Sequence, residues 1–279
     1  MDLNISTVFG TLPLWRSEYF ICSDVDGMTV ADISVASNTV YSMDGDRITN
    51  MQAQPREIVL DLTVRQGVSV EEARAHLMRY IKPKLSATLR LDIEQGGRTR
   101  NVEITGRVSR IEMPRFSDKV VAQVSVYCPQ PYWEDAEFIV KQISDILNEH
   151  HFEITWSEPL PMGVYDMSRT REFYNEGDAA VGMVVTITAQ GAVVNPTLYN
   201  NVTGEYIGIV DTLAVGDEVT INTIRGQKGI TKNGENILSK LRAGSKWLQM
   251  DVGSNVFLVN ADSGASEMYF TLIFKQAYV

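Results

Sequence analysis

Three histidines are the residues of this 279-residue sequence best suited to acid–base catalysis or metal binding. His76 lies within a predicted helix, where a position at the rim of the apolar face is expected. His150 and His151 are adjacent, so they point to opposite faces in a strand and lie about 100° apart in a helix. Neither arrangement places two imidazoles on one face, as a helical zinc site requires. We therefore predict no metal site.

Two short stretches resemble ligand-binding loops but lack essential residues. "SDVDGMTV" contains Asp24, Asp26 and Gly27, yet the third alternate oxygen ligand and the glutamate at the twelfth position of a calcium loop are missing. "RGQKGITKNG" lacks the Gly-Lys-Ser/Thr end of a phosphate-binding loop. A turn explains the first stretch, and an Asn233-Gly234 hairpin explains the second.

Motifs of catalysis and cofactor binding do not occur in the sequence. It contains no His-Glu-x-x-His, no Gly-x-Ser-x-Gly and no Gly-x-Gly-x-x-Gly. A glycosidase pair stays open among the 35 acidic residues, because nothing singles any pair out. We predict no catalytic residues, no cofactor and no enzymatic activity.

Four aromatic residues are candidates for stacking on a sugar or for contacting a partner: Trp156, Tyr199, Tyr206 and Trp247. Aromatic rings on a β-sandwich can form a flat surface on which a sugar stacks. Aromatic residues also fill cores and protein interfaces. The sequence leaves both interpretations open.

The charge balance argues against nucleic-acid and membrane partners. Thirty-five acidic and 25 basic residues give a formal net charge of −10, which opposes binding to DNA and to anionic lipid. No run of 18 apolar residues and no signal-peptide pattern occurs. Cys22 and Cys128 are expected to be reduced thiols. We predict no specific nucleic-acid binding and no membrane insertion.

Apolar periodicity predicts a sheet with one helix in the first half of the chain. Val70, Ala73, Leu77 and Ile81 share a helical face, with a capping-box pattern at Ser69 and Glu72 and a stop at Pro83. Period-two strands surround this helix; their apolar positions are Ile58, Leu60, Leu62 and Val64; Leu89, Leu91 and Ile93; and Val120, Ala122, Val124 and Val126. The apolar positions change parity between Val108 and Ile111, which predicts a bulge near Ser109.

The pattern of apolar residues changes after "CPQPYWED", so we place a domain boundary after residue 134. The spacing of Ile139, Ile143, Ile146 and Leu147 predicts a linking helix over about 136–150. Strand patterns with Gly, Asn and Asp between them follow to residue 279, which favours an antiparallel sandwich. The predicted fold is mainly β, with an α+β domain at 1–134 and a β-sandwich domain at 135–279.

The order of several motifs resembles the siphophage distal tail protein family over essentially the whole chain. These motifs are Cys128 with Pro131-Tyr132-Trp133, Asn175-Glu176-Gly177-Asp178, Asn195-Pro196, Gly216-Asp217-Glu218, and a glycine turn before "SKWLQM". That turn reads Leu241-Arg242-Ala243-Gly244, where family members usually have proline-glycine.

The resemblance implies a structural protein of a phage tail or a tail-like particle. In the family, a β-barrel-like first domain forms a hexameric ring that continues the tail tube, and a galectin-like second domain projects outward. The implied partners are the tail tube protein, the tail-tip or tail-associated lysin protein and the receptor-binding protein. The implied location is the virion tail tip, after assembly in the cytoplasm of the bacterial host.

Three function classes therefore follow from the sequence. The structural hub of the tail is the leading hypothesis. A net-acidic ring would not bind the DNA that passes through it. A carbohydrate-binding module that attaches to the host cell wall is the alternative, and an unfamiliar esterase or glycosidase is the third. Fold alone does not choose among them.

Overall fold

A computed structural model describes residues 3–15, 17–39, 41, 44–95, 98–114, 120–142, 146–147, 164–165 and 169–279. The chain forms two compact units. The first consists of Met1–Glu137 with Ala277–Val279, and the second of Phe138–Gln276. The last three residues thus belong to the same unit as the beginning of the chain, a feature that no local sequence pattern indicates.

The elements up to residue 135 are β1 (Leu3–Thr7), β2 (Gly10–Pro13), β3 (Phe20–Asp26), β4 (Ile33–Thr39), β5 (Asp46–Ala53), β6 (Arg56–Val64), α1 (Val70–Tyr80), β7 (Ser86–Gln95), β8 (Arg98–Glu112), β9 (Val121–Cys128) and β10 (Trp133–Asp135). The elements after residue 135 are β11 (Ile139–Gln142), β12 (Ile146–Leu147), β13 (Val164–Tyr165), β14 (Thr170–Asn175), β15 (Met183–Ala189), β16 (Val193–Val194), β17 (Thr197–Asn200), β18 (Tyr206–Gly208), β19 (Thr212–Leu213), β20 (Glu218–Asn222), β21 (Gly229–Lys232), β22 (Glu235–Asn236), β23 (Gly253–Asn260), β24 (Met268–Phe274) and β25 (Ala277–Tyr278), with short 3₁₀ helices at Leu238–Lys240 and Ala265–Glu267.

An antiparallel sheet in the order β2-β1-β7-β8-β9-β6-β3 forms the framework of the first unit, and β10 and β25 extend it beside β8. Its two ends approach each other, because Cys22 N–H in β3 donates to the Leu14 carbonyl just beyond β2 at 3.3 Å. The register of β8 against β9 shifts between Val108 and Arg110. This shift confirms the bulge predicted near Ser109.

The predicted helix is confirmed as α1. Ser69 caps it, since its Oγ accepts a hydrogen bond from Glu72 N–H at 3.1 Å. Ala73 and Leu77 are fully buried in the core of the first unit, together with Ile81 just after the helix. The three-and-four spacing therefore identified the face that packs against the sheet.

Strands β4 and β5 pair only with each other in the described structure, as a hairpin outside the main sheet. Every residue of β4 is exposed, as is every residue of β5 except Ala53. The sequence patterns did not predict this hairpin.

The second unit is an antiparallel β-sandwich. One sheet has the order β11-β24-β15-β20-β21-β22, and the other has the order β14-β23-β17-β18. Inward side chains of both sheets form one core, in which Val185, Phe257 and Leu272 are fully buried. The predicted hairpin at Asn233-Gly234 joins β21 to β22, with φ angles of 51° and 84° at its two turn residues.

The helix predicted over about 136–150 is wrong where the structure describes that segment. Ile139–Gln142 is a strand, in which Ile139 pairs with Phe274 of β24 and packs against the sandwich core. Ile146–Leu147 is also a strand. Pairing with β24 satisfies the backbone of β11, so this tertiary contact overrides an apolar spacing that fits a helix equally well.

Candidate functional site

The outer face of β3 and β6 carries four carboxylates, which we call the acidic cleft. Asp24, Asp26, Glu57 and Asp61 line a depression of about 430 Å³ with Arg110 and Gln123. Gln123 Nε2 donates to Asp61 Oδ1 at 3.0 Å, and Ser109 Oγ donates to Glu57 Oε1 at 3.1 Å. Such a face attracts cationic groups and repels a polyanion.

The strand pattern accounts for the acidic cleft. Glu57 and Asp61 alternate with the fully buried Ile58, Leu60 and Leu62 of β6, so they must lie on the outer face. Gly27 follows Asp26 in a turn with φ of +80°, and a Cβ there would lie 2.1 Å from the Glu57 carbonyl. The Asp-Gly pair therefore forms a close turn against β6, in agreement with the turn interpretation of "SDVDGMTV".

Arg56 begins β6 on the opposite face, within the core. Its side chain is buried, and Nε and Nη2 have no hydrogen-bond partner among the described residues, while Nη1 donates to the Gly27 carbonyl at 3.4 Å. Burial lowers the pKa of Arg56. Cys128 faces Arg56 across β6 and β9, and burial raises the pKa of its thiol to about 11. Cys22 and Cys128 are both free thiols, and both are buried. Because burial disfavours the charged thiolate, neither position favours a reactive cysteine.

His76 of α1 stacks on the ring of Tyr19 and lies beside the tilted ring of Tyr80. Its ring centroid lies 4.0 Å from that of Tyr19 and 5.2 Å from that of Tyr80. Burial, followed by the charge of Arg79, lowers the pKa of His76. The half-buried imidazole thus packs against aromatic rings at the rim of the helix. His150 and His151 lie outside the described residues.

Two of the four aromatic candidates are neighbours on the open face of the second unit. Tyr199 of β17 is opposite Tyr206 of β18, with ring centroids 5.6 Å apart. We call them the tyrosine pair. Tyr206 Oη donates to the Ala243 carbonyl at 2.7 Å, which fixes this ring. Leu258 and Thr170 continue the same row across β23 and β14.

The other two aromatic candidates are not part of this pair. Trp247 is half-buried against the sandwich core, and Lys228 Nζ lies 5.7 Å from its ring centroid. Its chain neighbour Lys246 donates a backbone hydrogen bond to the Tyr206 carbonyl. Trp156 lies outside the described residues. The turn residue Gly244 has a φ of +83°, a conformation that favours glycine, and a Cβ there would also lie 2.7 Å from Tyr206 Oη.

The carboxylate with the most strongly shifted pKa serves the fold. The Asn233 side-chain amide and the backbone N–H of Ala214 each donate to the Asp217 carboxylate at 2.8 Å, and Lys232 Nζ lies 2.9 Å away. These contacts lower the pKa of Asp217 to about 2. The motifs Gly216-Asp217-Glu218 and Asn233-Gly234 therefore belong to one structural network that ties the loop before β20 to the hairpin.

No group of three or more His, Cys, Asp and Glu side chains within the described ranges is arranged to hold a metal ion. The described part of the chain also contains no helix long and apolar enough to cross a membrane. The prominent features are outward faces of strands, which suit contacts with other macromolecules.

Residues 176–278 match the family model of the siphovirus-type tail component, C-terminal domain. This matched segment lies almost entirely within the second unit, Phe138–Gln276. No curated protein matches the sequence.

The whole chain shares its fold with solved phage proteins. One is the Dit (gp 19.1) protein of phage SPP1, a hub of the adsorption apparatus in phages that infect Gram-positive bacteria. It is 15% identical, with a TM-score of 0.67 over 99% of both chains. Another is a chain of the phage P2 baseplate in its activated conformation with calcium, 9% identical, with a TM-score of 0.52 over 99% of this chain and 97% of that one. A fold that contains both units thus occurs in known phage proteins.

Proposed function

We propose that this protein is the distal hub of a phage tail, in which six copies form a ring through their first units. The observation that carries the proposal is the fold shared with the SPP1 Dit protein over 99% of both chains. The match of residues 176–278 to the tail component model supports it. In this role, the ring joins the tail tube protein to the tail-tip or lysin protein and the receptor-binding protein. The virion tail tip is its site of action.

The chemistry of the described surfaces supports a structural role. The strongly shifted Asp217 belongs to a network that holds a hairpin, and Cys22 and Cys128 are buried thiols. A ring hub needs rigid strands and contact surfaces rather than a reaction centre. We therefore propose that the protein has no catalytic activity.

The acidic character of the chain suits a ring through which DNA passes. The net charge is −10, and the acidic cleft adds a local negative face. We propose that the ring channel does not bind DNA, since like charges repel at close range. A strongly basic channel in the assembled ring would contradict this.

The solution mass of the full-length protein at high concentration tests the ring. We expect light scattering to give six times the mass of one chain, and negative-stain images of the same fraction to show rings with open centres. The same measurement is repeated after co-expression with the tail tube protein, since a neighbouring ring can template assembly. A protein that stays monomeric under both conditions contradicts the proposal.

Carbohydrate binding is a second candidate function, favoured by the tyrosine pair. Two adjacent rings on an open sheet face, one of them fixed by its hydrogen bond to Ala243, suit stacking against a pyranose ring. Specific binding on a bacterial glycan array, lost in Tyr199→Ala and kept in the half-buried Trp247→Phe, would support it. Absence of binding to all wall glycans would exclude it without affecting the hub.

A further inference from the structure

Two of the sequence motifs meet beside the tyrosine pair. Asn195 belongs to the Asn-Pro motif, and Arg242 belongs to the turn before "SKWLQM". Both contact Thr197 of β17, because Thr197 Oγ1 donates to the Asn195 carbonyl at 3.2 Å and accepts a hydrogen bond from Arg242 Nη1 at 3.2 Å. The fold thus brings a guanidinium and an amide from distant parts of the sequence to one place.

Arg242 lies on the same open face of the sheet as the tyrosine pair. Thr197 and Tyr199 are two positions apart in β17, so their side chains point to the same side. Gly208 is opposite Thr197, and a Cβ on Gly208 would lie 2.6 Å from Thr197 Oγ1. A side chain at position 208 would therefore crowd the hydroxyl that Arg242 binds. Arg242 Cζ lies 6.0 Å from the ring centroid of Tyr206.

A carboxylate accompanies this guanidinium. Asp262 Oδ1 lies 3.8 Å from Arg242 Nη1, and Asp262 Oδ2 accepts a hydrogen bond from Asn195 Nδ2 at 2.7 Å. Asn195 has a left-handed φ of 53°, a conformation that asparagine adopts more readily than most residues. Asn195 thus holds the carboxylate beside the guanidinium. We call Arg242 and Asp262 the Arg–Asp pair.

The Arg–Asp pair keeps most of its hydrogen-bonding capacity. The side chain of Arg242 is 36% exposed, and that of Asp262 is 53% exposed. A guanidinium has several N–H donors, and a carboxylate has several acceptor positions. The hydrogen bonds to Thr197 and from Asn195 use one donor and one acceptor position. Donors and acceptors therefore remain side by side, next to the tyrosine pair.

This combination fits the chemistry of a neutral sugar. Each hydroxyl of a pyranose can donate and accept a hydrogen bond, so one hydroxyl can accept from Arg242 while its neighbour donates to Asp262. The C–H face of the same sugar can pack on a tyrosine ring. An anionic glycan is disfavoured, because the Asp262 carboxylate lies at the site and the whole chain carries a net charge of −10.

We propose that the tyrosine pair and the Arg–Asp pair form one binding site for a neutral hexopyranose, in which Arg242 and Asp262 bind two neighbouring hydroxyls. The inference rests on carbohydrate binding, the second candidate function, and adds the residues that determine which class of glycan is bound. It does not depend on the hexameric ring.

A panel of simple ligands tests the class of glycan. The probes are the methyl glycosides of glucose, galactose, mannose and N-acetylglucosamine, with poly(glycerol phosphate) as an anionic polymer. We expect the full-length protein to bind at least one of the glycosides in isothermal titration calorimetry. Two of its monodeoxy analogues, altered at neighbouring positions, should bind at least tenfold more weakly, because each leaves a donor or an acceptor of the site unpaired. Tighter binding of poly(glycerol phosphate) than of every glycoside overturns the proposal.

Conservative substitutions separate hydroxyl recognition from charge. Asp262→Asn keeps the shape of the side chain but removes the carboxylate, and Arg242→Lys keeps the charge but loses the planar fork. We expect each variant to bind the best glycoside at least tenfold more weakly. Glu205→Gln and Arg225→Gln change exposed residues of the second unit outside the Arg–Asp pair, so they serve as matched controls and should leave the affinity unchanged. Thermal unfolding checks that all four variants are folded.

The outcomes distinguish this site from the functions proposed above. If no probe binds the unmodified protein, carbohydrate binding is wrong and this inference falls with it, whereas the hub depends on the ring measurement alone. If a glycoside binds and Tyr199→Ala abolishes binding, while Asp262→Asn and Arg242→Lys bind normally, the role of the Arg–Asp pair is overturned. Binding that survives Tyr199→Ala lies elsewhere on the protein and overturns the whole site.

Discussion

Gly264 and Gly204 have nearly the same backbone conformation in the second unit but very different surroundings. Their φ angles are +73° and +72°. A Cβ on Gly264 would lie 2.0 Å from the Ala192 carbonyl oxygen, whereas a Cβ on Gly204 would meet nothing within 4 Å. Left-handed backbone strain is therefore common to both positions, and the close approach is specific to Gly264.

This pair gives a test of packing at single-residue scale. We expect Gly204→Ala to lower the free energy of unfolding by about 1 kcal/mol, from the left-handed conformation alone. Gly264→Ala should cost a further ~1–3 kcal/mol, because the chain around Ala192 must move. Urea denaturation of the two variants measures the difference. Equal losses would mean that the loop at Gly264 relaxes freely.

The structural roles of the residues that could do chemistry were only partly predictable from the sequence. The Asp24-Asp26-Gly27 turn and the Asn233-Gly234 hairpin follow from local turn chemistry. The tyrosine pair could not be predicted, because Tyr199 and Tyr206 become neighbours only through the register of β17 against β18. Arg56 gave no signal either, since its burial depends on the three-dimensional path of the strands around it.

At the scale of elements, a polar network holds the turn before β20 against the β21–β22 hairpin. Asp217 accepts hydrogen bonds from Asn233 and Ala214 and pairs with Lys232. Lys232 also lies 3.5 Å from Asp211, which accepts a hydrogen bond from Lys240 at 2.7 Å. Several loops of the second unit are thus joined through two carboxylates.

This network predicts a pH-dependent contribution to stability. The pKa of Asp217 is about 2 in the folded protein, below its ordinary 3.8. Its charged form therefore stabilises the fold above about pH 4, and this contribution is lost as the pH falls from about 4 to about 2. We expect Asp217→Asn to lower the Tm near neutral pH, and the gap from the unmodified protein to close near pH 2.

Glu235→Gln, at the exposed end of the same hairpin, provides the matched control and should leave the Tm unchanged across this range. Scanning calorimetry at several pH values measures all three proteins. A gap for Asp217→Asn that is as wide near pH 2 as at neutral pH would show that the amide, rather than the lost charge, disturbs the hairpin.

Elements with a strong local pattern were predictable, and those that depend on distant pairing were not. Helix α1 combined a buried stripe with a capping serine, and the parity change in β8 marked its bulge. In β11 the spacing of Ile139 and the apolar residues after it also fitted a helix. The pairing of β11 with β24, more than 120 residues later in sequence, makes this segment a strand instead. The β4–β5 hairpin has few apolar residues and no core to alternate with, so periodicity could not reveal it.

At the scale of the whole molecule, the end of the chain completes the first unit. Ala277 is 3% exposed and pairs with Glu134, and Trp133 pairs with Tyr278. Tyr278 Oη donates to Asp135 at 3.2 Å, and Arg100 lies over its ring at 4.3 Å. The last strand thus covers β10 in the first unit although it follows the whole second unit in sequence.

Removal of residues 277–279 should therefore loosen the first unit locally. We expect hydrogen exchange at the amides of β10 and the facing part of β8 to accelerate at least tenfold, because their cover and pairing are lost. Removal of Val279 alone, which is 42% exposed, should have little effect. Mass spectrometry of peptides from the full protein and both truncated forms measures the change; unchanged exchange at β10 would show that β25 is dispensable.

The same strand sets the order of events during synthesis. Because β25 follows every strand of the second unit in sequence, it is synthesised after that whole unit. The second unit can therefore fold while the first unit still lacks its final strand, although domains more often fold in order from the amino terminus. The sheet beside β10 is complete only once Ala277–Tyr278 has been made and has paired with it, so a nascent chain that lacks these residues is not yet ready to enter a ring.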